Sequence, residues 1–96
     1  MILVQNSFTA KYGRGDELVA LFKEMASQSP GFRNARILTD ASGPFFQVIT
    51  QMEYESMGAF ESAFANEMSG VDFGGWFARM MEVTESGRRD FFNIVA

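Results

Sequence analysis

An amide on an apolar strand phase, a phenol at a strand end and an indole on an apolar helix stripe are the groups of this sequence best placed to do chemistry. Asn6 lies between Val4 and Phe8, on the apolar phase of a β-rich segment. A buried amide must be hydrogen-bonded, because leaving it unpaired costs about 1–3 kcal/mol. It therefore points at a ligand or bonds to backbone or buried water. Tyr54 shares a strand phase with Met52 and could donate a hydrogen bond or a proton; a half-exposed tyrosine ending a strand is the plainer reading. Trp76, Phe77, Met80 and Met81 could wall a cavity for a flat apolar ligand, since such ligands favour aromatic and thioether surfaces. The same spacing also describes ordinary core. The seven methionines suit adaptable packing and weigh toward a cavity. The candidate ligand-binding residues are therefore Asn6, Met52, Tyr54, Trp76, Phe77 and Met80, and no catalytic residue is singled out.

The charged groups give less. Arg88 and Arg89 beside Asp90 could meet an anionic substrate at a rim. Consecutive strand residues point to opposite faces, so both cannot enter one pocket, and a salt bridge or solvated rim is the preferred reading. Glu82 and Glu85 lie one helical turn apart and read as surface charge. Arg14-Gly15-Asp16 reads as a turn followed by a helix cap at Asp16. Gly13 and Gly15 lack the third glycine of a dinucleotide fingerprint.

Two absences narrow the chemistry further. Without cysteine there is no disulfide, thiol nucleophile or thiolate metal site, and without histidine no Ser-His-Asp triad and no common zinc or haem ligand. No metal site and no cofactor are expected. A net charge of −4 disfavours nucleic acid, whose affinity comes from clustered Lys and Arg. Met1-Ile2-Leu3-Val4 is too short for a secretory h-region, and no apolar run approaches the roughly 18–20 residues of a membrane span. The expectation is a soluble cytoplasmic protein, with no nucleic-acid or membrane partner.

The elements that must position these groups follow from periodicity. Ile2 to about Thr9 reads as a strand. Leu18, Phe22 and Met25 recur at i, i+4, i+7 as one helix stripe, which Pro30-Gly31 stops. Phe32 to Thr39 and Phe45 to Glu53 read as strands joined by the turn Asp40–Pro44, and so as antiparallel neighbours. Tyr54 to about Met68 reads as a helix with Met57, Phe60, Phe64 and Met68 near one stripe. After Ser69-Gly70 a further helix starts at Asp72, and Phe73, Trp76, Phe77, Met80 and Met81 give it the strongest amphipathic pattern of the chain. Ser86-Gly87 ends it, and Arg88 to Val95 is the last strand. The order β-α-β, turn, β-α-β is an α+β pattern: one ferredoxin-like domain over 1–96 with a four-stranded antiparallel sheet.

Both helical regions of such a domain cover the same sheet face, and the other face of a monomer should be polar. Here the second phase is mixed, with Phe45 and Ile49 beside Gln47 and Gln51, and with phenylalanine on both phases of the last strand. An exposed patch of this kind exceeds what soluble monomers usually tolerate. A homodimer stacked sheet against sheet would remove it, with two-fold symmetry as the default.

The strand and helix order, together with Lys11-Tyr12-Gly13-Arg14-Gly15-Asp16-Glu17-Leu18 and Glu85-Ser86-Gly87-Arg88-Arg89-Asp90-Phe91-Phe92, resembles the dimeric α+β barrel superfamily. Within it the chain is similar to small NIPSNAP-like proteins, beside the antibiotic-biosynthesis-monooxygenase-like branch. The resemblance implies two ferredoxin-like subunits whose sheets form one barrel, each with a pocket between sheet and helices. Superfamily members include cofactor-independent monooxygenases, haem-degrading enzymes, isomerases and proteins without assigned activity, so fold alone does not settle function. The haem-degrading members use an Asn in the first strand, a Trp and a His ligand. Asn6 falls where that Asn would, but Trp76 lies nearer the position of the His, and no His exists. That departure argues against haem degradation. The implied function is binding of a small hydrophobic or aromatic metabolite, with cofactor-independent monooxygenation or isomerisation as the enzymatic reading and a non-catalytic interaction or ligand-binding module as the alternative.

Overall fold

The fold is a four-stranded antiparallel sheet with helices on one face. It was determined as a computed structural model that describes residues 1–28, 33–43, 46–68 and 73–96. The elements are β1 (Ile2–Ala10), α1 (Gly15–Gln28), β2 (Arg33–Thr39), β3 (Gln47–Tyr54), α2 (Met57–Met68), α3 (Phe73–Val83) and β4 (Thr84–Asn93). The sheet order is β2-β3-β1-β4. The expected ferredoxin-like order and the antiparallel β2–β3 hairpin are both present. The expected stop at Pro30-Gly31 and break at Ser69-Gly70 lie outside the described residues, as do Phe32, Phe45 and Asp72.

β1 is the inner strand that organises the rest, because it pairs along its length with β3 on one side and β4 on the other. Its even-numbered residues face the helices: Val4 is fully buried, Asn6 is 7% exposed and Ala10 is buried. Opposite them on β3 stand Met52, Thr50 and, across from Phe8, Val48. On β4 the matching residues are Phe91, Arg89 and Gly87. A period of two then assigns every other sheet residue to the open face.

The densest packing gathers under α1 and α3. Leu18, Leu21 and Phe22 of α1 meet Trp76, Met80 and Val83 of α3 over Ala10 and Val48. The Phe8 and Phe22 rings stack with centroids 5.1 Å apart. The Lys11 amide donates to the Val83 carbonyl at 2.8 Å, tying the end of α3 to the loop after β1.

Several boundaries differ from the sequence reading. Asp16 does not cap α1: the Leu18 amide donates to the Arg14 carbonyl at 3.2 Å, so Arg14 holds the cap position. Asp16 sits in the first turn, where an acid opposes the helix dipole favourably. The Arg14 side chain grips Glu17 through two 2.7 Å bonds, which hold the Glu17 carboxyl below its usual range. Tyr54 closes β3 instead of opening α2. α3 ends at Val83 and β4 begins at once with Thr84, so Glu85 belongs to the strand and does not share a helix with Glu82. Ser86-Gly87 lies within β4 and terminates nothing, because the paired backbone of β1 extends the strand through it. The last strand accordingly starts earlier than expected and ends at Asn93.

Gly87 faces Phe8 across the β1–β4 pair. A Cβ built there would stand 2.6 Å from Phe8 Cδ1, closer than any real contact. Gly87→Ala is therefore expected to push the Phe8 ring from its stack on Phe22 and to destabilise the fold by about 1–3 kcal/mol. Urea unfolding measures this, and a variant as stable as wild type would contradict the contact.

Candidate functional site

Beyond Val48 the packing does not close. Between the sheet and the three helices lies a cavity of about 420 Å3. That falls within the range of about 300–1,000 Å3 typical of small-molecule sites. All six residues singled out from sequence, Asn6, Met52, Tyr54, Trp76, Phe77 and Met80, stand in its wall. Met81, weighed alongside them, is turned outward and 53% exposed.

The helices furnish most of the wall through aromatic rings. Trp76 and Phe77 belong to α3, and Phe73 stacks on both, at 6.1 and 5.9 Å between centroids. Trp76 also tilts against Phe22 of α1 at 5.6 Å. Its indole N–H is committed, donating to the Leu21 carbonyl at 2.8 Å in a buried bond. The ring is thus fixed by a helix-to-helix tie, and only its apolar surface is offered to the cavity. On α2, Phe60 and Phe64 stack at 5.7 Å, and Tyr54 meets Phe60 edge-on at 5.4 Å. The Tyr54 hydroxyl lies 3.8 Å from Met52 Sδ. Met25 of α1 and Met80 of α3 complete the soft apolar lining.

The sheet supplies the polar part. Thr50, Asn6 and Arg89 form one row across β3, β1 and β4, because Asn6 is directly paired with both neighbours. Asn6 Nδ2 donates to Thr50 Oγ1 at 3.2 Å, and Asn6 Oδ1 accepts from Arg89 Nε at 2.7 Å. The buried amide is therefore satisfied within the protein, as the plainer sequence reading required, while still lining the cavity. No buried side-chain nitrogen or oxygen among the described residues lacks a partner.

Arg89 is the residue that the sequence reading missed. The sequence predicts a solvated or salt-bridged rim for both arginines, and the structure separates them. Arg88 lies on the open face and holds Asp90 through bonds of 3.0 and 2.8 Å, keeping that carboxyl below its usual range. Arg89 turns to the helix side, with its guanidinium carbon 5.1 Å from the Phe60 ring centre and 4.9 Å from that of Phe64. The signal was present in principle. Placing Phe91 against the helices forces Arg89 to the same side, but Phe91-Phe92 left the phase undecided.

Among the described residues no aspartate, glutamate or histidine lines the cavity. Among the described residues no group of three or more acidic side chains is placed to hold a metal, and no helix is long and apolar enough to cross a membrane. The site offers apolar enclosure, a hydroxyl at Thr50, an amide at Asn6, a phenol at Tyr54 and the Arg89 guanidinium, with Arg36 bonded to Gln51 at its edge.

Comparisons with known proteins agree with this architecture. Residues 1–70 match the family described as antibiotic biosynthesis monooxygenase. Among curated proteins none matches the sequence. A NIPSNAP domain protein from Burkholderia xenovorans superposes with a TM-score of 0.85 at 15% identity, covering 100% of this chain and 96% of that one. A NIPSNAP family protein from Agrobacterium tumefaciens gives 0.87 at 20% identity, covering 98% and 85%. SnoaB, a cofactor-independent oxygenase from Streptomyces nogalater, gives 0.73 at 16% identity, covering 99% and 93%. At these identities the structural likeness concerns the fold.

Removing the indole N–H tests whether Trp76 is held as described. Trp76→Phe is expected to lower stability by about 0.5–1.5 kcal/mol, the usual worth of one such bond. Thermal unfolding reads the loss, and an unchanged midpoint would place the indole elsewhere.

Proposed function

Because the chain belongs to the antibiotic biosynthesis monooxygenase family, matching it over residues 1–70, we propose that it binds a flat hydrophobic or aromatic metabolite in the cavity and oxygenates it without a cofactor. The observation that carries this reading is the cavity itself: rings and thioethers on the helix side, and the row Thr50–Asn6–Arg89 on the sheet side.

Such an oxygenation asks little of the protein. An aromatic substrate with an acidic C–H loses its proton, and the carbanion reduces dioxygen and combines with it. Loss of water from the hydroperoxide leaves a ketone, so that CH2 and O2 become C=O and H2O. The cavity excludes water around the reacting carbon, and fixed dipoles at Asn6 and Thr50 favour developing oxyanion charge. Among the described residues no carboxylate or imidazole lines the site to act as an ordinary base. The acidity of the substrate itself must therefore supply much of the driving force. Oxygenation is preferred to isomerisation because it is the reaction that describes the family.

We also propose that the protein works as a homodimer joined through the open sheet face. That face carries Leu3, Ile49, Leu38 and Phe92, with Leu38 37% and Phe92 47% exposed. A polar row crosses between them. Arg36 donates to Gln51 at 2.6 Å, and Gln51 donates to Gln5 at 2.9 Å. Gln5 is paired with Asp90, which Arg88 holds. The row ends in a cation at β2 and an ion pair at β4. A second copy offers the same mixed apolar and polar surface, and two-fold pairing makes that surface self-complementary.

Two measurements bear on this reading. Native mass spectrometry of protein purified without refolding is expected to give the mass of two chains, with Phe92→Asp reverting to one; a single-chain wild type would sink the paired-sheet proposal. Oxygen uptake with anthrone, an acidic aromatic C–H probe, is expected to exceed the rate in buffer. If anthrone binds but no uptake above buffer occurs, the protein is a ligand-binding module and the oxygenase reading fails.

A further inference from the structure

We propose that Arg89 makes the cavity selective for anions, so that the ligand is a flat aromatic molecule bearing a carboxylate or comparably ionised oxygen. This deepens the reading of the cavity as a small-molecule site and rests on it.

The argument begins with where the cation is and what it lacks. Arg89 lines a cavity walled mostly by aromatic rings and thioethers, and its guanidinium lies over the faces of Phe60 and Phe64. Ring faces attract a cation but do not neutralise it. Among the described residues no carboxylate pairs with Arg89, and its one side-chain hydrogen bond is from Nε to Asn6 Oδ1 at 2.7 Å. That bond uses one of five N–H groups. The two terminal nitrogens make no hydrogen bond to any described residue. A guanidinium lying on ring faces keeps its N–H groups at its edge, in its own plane, which is the geometry that takes a carboxylate through two parallel bonds.

The adjacent residues sharpen the contrast. The nearest acid in sequence, Asp90, lies on the opposite face and is occupied by Arg88. Alternation along β4 therefore gives one arginine its counter-ion and leaves the other facing the cavity, with no carboxylate partner among the described residues. Asn6 accepts from Nε and is itself fixed by Thr50, so the guanidinium is oriented from behind by a rigid strand and not by a mobile loop. Apolar rings beside a positioned, solvent-exposed cation match a ligand with the converse distribution, an aromatic body with one anionic edge.

Among the described residues the cavity also has no carboxylate or imidazole to take a proton from a neutral ligand. A ligand that arrives already ionised meets the Arg89 guanidinium, whereas Arg36, the other arginine of the wall, is bonded to Gln51 at 2.6 Å. The chain as a whole carries −4, so any preference for anions must come from a cation in the wall and not from a long-range field.

The test compares two probes of the same shape, 2-naphthoate and 2-naphthalenemethanol, by isothermal titration calorimetry on the intact protein. Wild type is expected to bind the naphthoate at least about tenfold more tightly than the alcohol, as a charge-assisted pair requires. In Arg89→Gln the two affinities should converge. Arg89→Lys, which keeps the charge but loses the fork, should fall between them. Equal affinity of wild type for both probes, or a preference that survives in R89Q, overturns the proposal while leaving the cavity reading intact. Should R89Q fail to fold, an R89K preference as large as that of wild type overturns it equally. If wild type binds neither probe, the cavity reading fails and this inference with it.

Discussion

A carboxamide buried at 7% exposure beneath a helix layer has to find a donor and an acceptor inside the protein, and that demand organises the centre of this molecule. Asn6 meets it by taking one partner from each flanking strand, Thr50 and Arg89. Both bonds exist only while β1 is aligned with β3 and β4 in the observed register. A slip of one residue would turn the amide to the open face and bring Gln5 or Ser7 under the helices. The amide therefore ties the alignment of three strands to the position of one guanidinium. Specification of the sheet and construction of the polar wall are one event.

The division between core and cavity follows from side-chain size along the same strands. Ala10, Val48 and Gly87 allow Phe8, Phe22 and Leu18 to close down on the sheet at one end. Toward Thr50, Met52 and Tyr54 the sheet presents longer or polar groups, and the helices answer with aromatic rings that stack on one another instead of descending. Trp76 stands at the boundary, a core residue by burial and a wall residue by position. Its bond to Leu21 holds α3 against α1 and keeps the ring from collapsing into the space. A cavity bounded by rings that support one another can stay open without a ligand.

Element order was legible because each element carries a strong local period. The Leu18-Phe22-Met25 and Phe73-Trp76-Phe77-Met80 stripes admit only a helix, and the Asp40–Pro44 turn admits only a hairpin between its flanking strands. The cavity wall was legible in part for the same reason, since Asn6 on an apolar phase and Trp76 on a helix stripe had to converge on the covered face. What escaped was decided by tertiary pairing. Ser86-Gly87 looks like a terminator locally, yet β1 supplies the backbone partners that carry β4 through it. Glu85 was drawn from helix to strand by the same pairing. Asp16 lost the cap position because the Lys11–Arg14 turn, with Gly13 at a φ of 76°, delivers the Arg14 carbonyl to the Leu18 amide two residues earlier. Arg89 could not be told from Arg88 without a register.

That ambiguity gives Gly87 a larger part than its size suggests. The run Arg88-Arg89-Asp90-Phe91-Phe92 is nearly degenerate under translation: moved by one residue in either direction, it still places an arginine or a phenylalanine at some of the same stations. Such doublets create competing alignments close in energy, a form of frustration. Sliding β4 one way would set Ser86 beneath Phe8, and sliding it the other way would set Arg88 there. Either would place a Cβ where the geometry at Gly87 leaves none room, 2.6 Å from the Phe8 ring. The missing side chain is thus the feature of β4 that tells the two arginines apart. By excluding its own neighbours from that spot, a residue with no functional group selects which guanidinium looks inward and which is spent on Asp90.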